Sequence, residues 1–573
     1  MHELSSLSID SFSPEYTVAR DVGQHISWRQ LLNDMSAVRR NLRTRDGDWA
    51  LFESDSYRFT VALLAILAEK RKVFLAGDNA AGTCRELRSR GLNFIGDFDI
   101  PDRLTIAEHT PKQAAETFQL GGKIIIYTSG STGQPKPVSK GLNQLDAELH
   151  SLQQQWGHVL ADSLVVGTVS HQHFYGLLFL VLWPLCSGRT FWRRPFLDPM
   201  LLASAMLVHQ CDACTWIMSP AHLHRLNTAM PWPALCQHLR AVFSSGGPLR
   251  ADAAAKIEAA LGQAPFEVLG SSETGGIAWR QQQTGNTTWQ ALPDVDIRCE
   301  KSALAVRSPM LADNNWYITA DSAHLLADGR FQLGARLDRI IKVEGKRVSL
   351  ADVEHKLLTS KLITDCTTLL LPDNFADRSS GKRQCLAALI VLSDTGIETL
   401  TNSGLHKLQR QLRATLLEQL PTIATPRRFR LVDQLPRNSQ GKLQQSKLTA
   451  LFKEQRLPQV IQIQQHTDSA VFKFYLARNN VYLAGHFPGK PILPGVTQLY
   501  WAEYYGRQYL HLSGHFCGMK AVKFQTLSLP DCVLELSLSF EADTGRLDFH
   551  FSSKAGQHSK GHLYFGQTET RAL

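Results

Sequence analysis

Residues 123–140 read KIIIYTSGSTGQPKPVSK. The run 123–127 has the apolar, β-branched character of a strand, and it opens into a loop of hydroxyls and glycines with a lysine at its far end. Glycines let backbone N–H groups turn inward, hydroxyls add donors and lysine adds charge, so the loop is suited to surround a polyphosphate. No glycine-lysine-serine/threonine ending follows four residues after a glycine, and Gly441-Lys442 lacks that setting too. A kinase or GTPase P-loop is thereby disfavoured, and nucleotide chemistry of another kind is expected.

Outward from this stretch the chain alternates helical and strand periodicity. Residues 28–42 predict an amphipathic helix, 49–52 a strand, 61–69 an apolar helix and 73–75 another strand. Strands over 164–169, 213–218, 241–244 and 267–269, separated by helices, extend an α/β pattern to about residue 280, which favours a mostly parallel sheet. From 279 to 333 short strands and turns take over, with the hairpin signal Asp328-Gly329, and a barrel-like subdomain is expected. Residues 338–450 read as a compact α+β piece. The glutamine-rich stretch 451–466 reads as a linker before a last segment, 467–573.

A chain of 573 residues exceeds one core and predicts three or four folded units. A hydrophobic content of 43% with 20% charged residues is that of a globular protein, and no apolar run reaches the ~20 residues of a membrane helix. The first residues have neither a basic start nor an apolar core, so the expectation is a cytoplasmic protein. The ten cysteines are scattered, with one CxxC at Cys211 and Cys214, and read as structural thiols. The net charge of +9 is dispersed without interleaved aromatics, so no nucleic-acid partner and no membrane are expected. A positive face is compatible with an acidic protein partner.

The 128–136 loop resembles the phosphate-binding signature of the adenylate-forming superfamily, which includes acyl- and aryl-CoA ligases, luciferases and the adenylation domains of peptide synthetases. Further motifs match in the same order over nearly all of residues 1–450. By this resemblance Thr128, Ser129, Gly130, Ser131, Thr132, Gly133 and Lys136 hold the β- and γ-phosphates of ATP. Ser245-Gly246-Gly247 resembles the segment packed beside adenine. Leu269-Gly270-Ser271-Ser272-Glu273 resembles the aromatic-Gly-x-Thr-Glu motif, in which the glutamate holds Mg²⁺. Leu269 stands where the ring usually is, and Ser272 replaces the threonine. Glu273 and Thr128 are the implied metal ligands, a hard oxygen set suited to Mg²⁺.

Tyr317-Ile318-Thr319-Ala320-Asp321 resembles the motif whose aspartate takes both ribose hydroxyls, with Ala320 in the usual glycine position. Arg336-Leu337-Asp338 resembles the hinge to a small mobile lobe, Arg336 contacting ribose or phosphate. Leu435-Pro436-Arg437-Asn438-Ser439-Gln440-Gly441-Lys442 resembles the closing motif that delivers a catalytic lysine, Lys442, to the α-phosphate. His171-Gln172-His173-Phe174-Tyr175-Gly176 resembles the segment gating the acyl pocket. His173, Phe174, Tyr175 and Gly276 are the implied substrate contacts.

Ala484-Gly485-His486-Phe487-Pro488-Gly489 and the helical run after Gly495 resemble hotdog-fold 3-hydroxyacyl-carrier-protein dehydratases of the aryl polyene type. In that family the histidine, here His486, works with a helix carboxylate of the partner subunit, fourteen positions on. Position 500 is tyrosine, and Glu503 lies about one helical turn further. Three readings stay open: Glu503 in a shifted register, Tyr500 as a weak acid, or a domain that holds an acyl chain and dimerises.

The resemblance implies an α/β multidomain chain: an adenylate-forming domain at 1–337, a small mobile α+β lobe at 338–450, and an α+β hotdog domain at 467–573. The expected activity is ATP- and Mg²⁺-dependent activation of a small carboxylic acid, aryl or fatty acyl. Transfer then goes to the thiol of CoA or of the phosphopantetheine on an acyl carrier protein, in a homodimer joined through the hotdog domain. The rivals are a plain acyl-CoA ligase with an inert tail and a non-catalytic nucleotide- or acyl-binding scaffold.

Overall fold

In the computed structural model the helix expected first runs Trp28–Leu42, with Ser27 accepting a capping bond from the Gln30 N–H. The apolar stretch after it forms the helix Ser56–Ala68, capped by the Asp55 carboxylate on the N–H groups of Tyr57 and Arg58. All but Arg58 of its thirteen residues are buried, as a helix apolar on every side must be. The structure describes residues 1–106, 108, 110–111, 116–129, 135–196, 198–208, 213–226, 232–282, 288–343, 346–371, 385–418, 420, 422–437, 443–452, 456–478, 480–483 and 491–566.

The chain divides into a first unit over residues 1–337 and a second over 338–436 and 443–573. Two sheets organise the first. A nine-stranded sheet places Leu164–Gly167, Cys214–Met218, Leu239–Ser244 and Phe266–Ser271 as parallel neighbours, with Gly275–Gln281 antiparallel to the last of them. A five-stranded sheet has Asn93–Gly96, Trp49–Phe52, Lys72–Leu75 and Lys123–Ser129 parallel, closed by the edge strand Pro135–Gly141. One apolar core joins both sheets with the helices Trp28–Leu42, Ser56–Ala68 and Leu142–Leu160.

Where a barrel-like piece was expected, the strands Asp296–Glu300, Ala303–Arg307, Tyr317–Leu325 and Phe331–Arg336 form an antiparallel four-stranded sheet.

The second unit begins with the hairpin Ile340–Val343 and Lys346–Ser349, followed by the sheet Ile363–Leu371, Cys385–Leu392 and Arg428–Val432. The helix Asp394–Leu417 is interrupted at Gly404, whose φ of 76° breaks the helical path. A six-stranded antiparallel sheet then holds the helix Gly495–Tyr509 against its apolar face through Trp501, Ala502 and Tyr505. A helix gripped by an antiparallel sheet is the hotdog arrangement.

The expected linker at 451–466 is corrected. Gln459–Gln465 is the first strand of this sheet, paired antiparallel with Ser469–Leu476. Its glutamines suggested a solvated tether, but Val460, Ile461 and Ile463 supply the apolar side chains that pack. Ile461 and Tyr475 enter the apolar cluster of the 348–431 lobe, and Gln459 Oε1 accepts the Leu431 N–H at 3.0 Å. The lobe and the hotdog sheet therefore share core residues. Among the described residues no helix is long and apolar enough to cross a membrane.

Candidate active site

Four parallel strands of the nine-stranded sheet end on one side, and the segments that follow them line a cavity of about 120 Å³. Crevices at the carboxyl ends of parallel strands are where α/β sheets bind ligands, because the loops there diverge. Lining residues between Val169 and Gly176 follow the first of these strands, Ser219 and His222 the second, Ser245 and Gly246 the third, and Ser272, Gly275 and Gly276 the fourth, while Glu273 is not among the lining residues.

The sequence-selected residues His173, Phe174, Tyr175, Ser245, Gly246, Ser272 and Gly276 all border this cavity. Gly247 is exposed and is not among its walls.

Local geometry explains the loop shapes. A Cβ on Gly176 would stand 2.2 Å from the Ser170 carbonyl oxygen, so the turn returning from 170 closes only over glycine. The helix that follows widens into a π-helical stretch, Leu177–Leu182, anchored by the Leu177 N–H on the His173 carbonyl at 2.7 Å. π-helical turns recur at functional sites. Of the two histidines in this motif, His171 belongs to the core. It is buried between Ser56 Oγ, 2.9 Å from Nδ1, and the Glu53 carbonyl, 2.7 Å from Nε2. Burial pushes it down to about 4. His173 is the one that reaches the cavity. Opposite, Thr168 Oγ1 and His222 Nδ1 lie 2.6 Å apart.

The turn carrying Ser272 and Glu273 is closed by reciprocal bonds, Ser271 N–H to Thr274 Oγ1 and Thr274 N–H to Ser271 Oγ, each 3.1 Å. The Glu273 carboxylate forms no hydrogen bond or ion pair among the described residues, so it remains available to a hard cation. Its charge, after burial, raises the Tyr317 phenol. Asp321 and Arg336 face each other across the antiparallel strands Tyr317–Leu325 and Phe331–Arg336, with Oδ1 and Nη1 3.6 Å apart.

Two residues not selected from the sequence hold the cavity wall. Lys140 is 1% exposed, and its ammonium donates to the carbonyls of Glu273 at 3.0 Å and Met310 at 2.8 Å while lying over the Phe174 ring. Glu148 lines the cavity from the helix Leu142–Leu160, and its Oε1 accepts the Gly276 N–H at 2.7 Å. Burial lifts Glu148 to about 7 against the opposing pull of Gly276 and Lys140, and the same burial lowers Lys140. Gly275 makes the space: its φ is +74°, and a Cβ there would stand 2.1 Å from Glu148 Oε2.

The rest of the sequence-selected set divides between the hotdog helix and stretches outside the described residues. Gly130, Ser131, Thr132, Gly133, Lys442, His486 and Cys211 lie outside the described residues, as do the side chains of Thr128, Ser129 and Lys136. Thr128 pairs with Lys136 in the backbone register of their two strands. Glu503 is engaged by Arg507, with Oε1 2.9 Å from its guanidinium, and Arg507 also reaches the Gly514 carbonyl. Tyr500 is 43% exposed beside Tyr482 and Tyr504.

Comparison with known proteins agrees with this geometry. The family described as AMP-binding enzyme matches residues 110–305, and the ApeI-like family, described as ApeI dehydratase, matches residues 462–562. A 4-coumarate–CoA ligase of Cereibacter sphaeroides is 30% identical over 334 residues, covering 56% of this chain and 70% of that protein. An acetyl-coenzyme A synthetase of Pasteurella multocida is 23% identical, covering 59% of this chain and 57% of that protein, so the chain spans a little over half its length. The AMP-bound O-succinylbenzoate coenzyme A synthetase of Bacillus subtilis shares the fold with a TM-score of 0.61 at 18% identity, over 77% of this chain and 96% of that one. By these relatives the chain belongs to the AMP-binding enzymes, the family of the acyl-CoA ligases, and carries an ApeI-like dehydratase domain behind them.

Proposed function

We propose that the protein condenses a small carboxylic acid with ATP to an acyl-adenylate, releasing pyrophosphate, and passes the acyl group to a pantetheine thiol with release of AMP. The observation that carries this reading is the single cavity into which the segments 169–176, 245–246 and 270–276 converge from the ends of parallel strands. A nucleophilic carboxylate needs no base at neutral pH, because it is already ionised. The chain's work is positioning and charge stabilisation.

In this reading ATP lies with adenine beside Ser245, Gly246 and Gly247, its ribose on Asp321 with Arg336 alongside, and its outer phosphates in the 128–136 loop. Glu273 with Thr128 would hold Mg²⁺, which neutralises phosphate charge when bound. His173, Phe174, Tyr175 and Gly276 border the acid. Lys442 supplies the cation for the α-phosphate. We take an acyl carrier protein as the acceptor, because the hotdog domain behind the ligase resembles enzymes that act on carrier-bound chains. Mass-spectrometric detection of acylated carrier protein, formed at least tenfold faster than the CoA thioester at equal thiol concentration, is the expected result. Equal or faster CoA acylation returns the plain acyl-CoA ligase reading.

For the hotdog domain we read acyl-chain holding and dimerisation rather than dehydration. Tyr500 stands at the carboxylate position and Glu503 is tied to Arg507. The strand His515–Phe524 lies at the sheet edge and exposes Phe516, Met519 and Phe524, with Leu527 and Leu529 beside it, an apolar border suited to a second copy. The full chain incubated with 3-hydroxyacyl carrier protein is expected to give no enoyl product. Its appearance at a catalytic rate would restore His486 and Glu503 as a working pair.

A further inference from the structure

Arg430 lies on the strand Arg428–Val432, at the edge of the lobe's three-stranded sheet, and is only 6% exposed. Its guanidinium has no hydrogen-bond or ion-pair partner among the described residues, and burial alone, with no carboxylate acting in the other direction, pushes it down to about 10. Arginine is almost never buried without a partner, because an uncompensated charge in the interior is costly.

The polar groups around it are donors as well. Gln459 and Asn480, no more than 9% exposed, border the same cavity of about 10 Å³ as Arg430. Each side-chain amide has its oxygen already occupied. Gln459 Oε1 accepts the Leu431 N–H at 3.0 Å, and Asn480 Oδ1 accepts the Tyr482 N–H at 3.1 Å. Those bonds set the orientation of both amides and leave their N–H₂ groups as the uncommitted ends. None of these nitrogens has a hydrogen-bond partner among the described residues, and none is sealed from a water-sized contact. The Tyr475 hydroxyl, also at the cavity, is committed to Asp531 Oδ1 at 3.0 Å.

Donors from three segments, one of them a permanent cation, thus border one cavity that no carboxylate lines. A water molecule would satisfy hydrogen bonds there but leave the charge uncompensated, whereas an anion does both. Size narrows the choice. About 10 Å³ is the space of one water-sized group, which suits a halide and is too small for phosphate, sulfate or a carboxylate-bearing metabolite.

We propose that Arg430, Gln459 and Asn480 form a binding site for one small inorganic anion, chloride, at the seam between the lobe and the hotdog sheet. The donors come from the lobe strand Arg428–Val432, the first hotdog strand Gln459–Gln465 and the turn after Ser469–Leu476, so the bound ion ties the two together and stabilises them by its binding free energy.

The test is scanning calorimetry of the full chain in sodium chloride against sodium gluconate at equal ionic strength, gluconate being too large for the cavity. Chloride is expected to raise the unfolding midpoint by about 3–5 °C for each tenfold increase above its dissociation constant. Arg430→Met keeps an apolar stem and removes the charge. Asn480→Asp keeps an acceptor for the Tyr482 N–H and brings a carboxylate to the cavity as a built-in anion. Both variants are expected to lose the chloride dependence, and Asn480→Asp in gluconate is expected to be at least as stable as the wild type. Bromide diffused into crystals of the wild-type chain is expected to give an anomalous-scattering peak within hydrogen-bond reach of Arg430. The absence of that peak, a midpoint that follows ionic strength whatever the anion, or a chloride effect that survives Arg430→Met overturns the proposal.

Discussion

Lys140→Met is expected to cost the protein about 1–3 kcal/mol of folding stability, the penalty of leaving buried acceptors without their donor. The wild-type ammonium holds three pieces of chain that are distant in sequence: its own strand Pro135–Gly141, the Ser272–Glu273 turn through the Glu273 carbonyl, and the approach to the strand Tyr317–Leu325 through the Met310 carbonyl. Methionine fills the volume but leaves both carbonyls and the Glu148 carboxylate without their cation. Denaturant unfolding followed by intrinsic fluorescence measures the change through its midpoint at constant slope. A loss below about 1 kcal/mol would show the ammonium to be incidental. The double variant Lys140→Met with Glu148→Leu is expected to recover part of the loss, because replacing both partners removes the stranded charge.

The second large effect is catalytic. Lys442→Ala is expected to slow pyrophosphate exchange by about 10²–10³-fold, the usual consequence of deleting one group aimed at charge that develops in a transition state. A point cation on a flexible stem suits a charge that must arrive and later leave. The split between parameters is informative: a group acting only in the transition state lowers the maximal rate and leaves the KM for the acid nearly constant. Exchange near the wild-type rate in Lys442→Ala would remove this residue from the mechanism.

The elements read correctly from the sequence had strong periodicity. The helix Trp28–Leu42 and the strands Trp49–Phe52 and Cys385–Leu392 fall where apolar spacing placed them, because their buried faces leave no other register. The strand Pro135–Gly141 was hidden by its two prolines, which are tolerated because it lies at the edge of its sheet. Gln459–Gln465 was hidden by composition, since glutamine content suggested a tether while the spaced apolar residues already indicated a strand.

At the site, motif residues were legible one segment at a time. Their convergence was not, because it depends on parallel pairing between strands tens of residues apart. Glu148 was missed for a different reason, since glutamate in a helix is ordinarily solvated. The available signal was its place three residues after Leu145 and four before Leu152, on the buried face shared with Leu149 and Trp156. A carboxylate on the apolar stripe of a helix is a reason to look for what it binds.

The proposed function requires these segments to form a working adenylation site. The most direct measurement is exchange of labelled pyrophosphate into ATP by the full chain, with Mg²⁺ and a panel of small aryl and fatty acids. Exchange is expected that depends on both the acid and Mg²⁺. Exchange with no acid in the panel, while the protein still binds ATP, would contradict it and leave a nucleotide-binding scaffold.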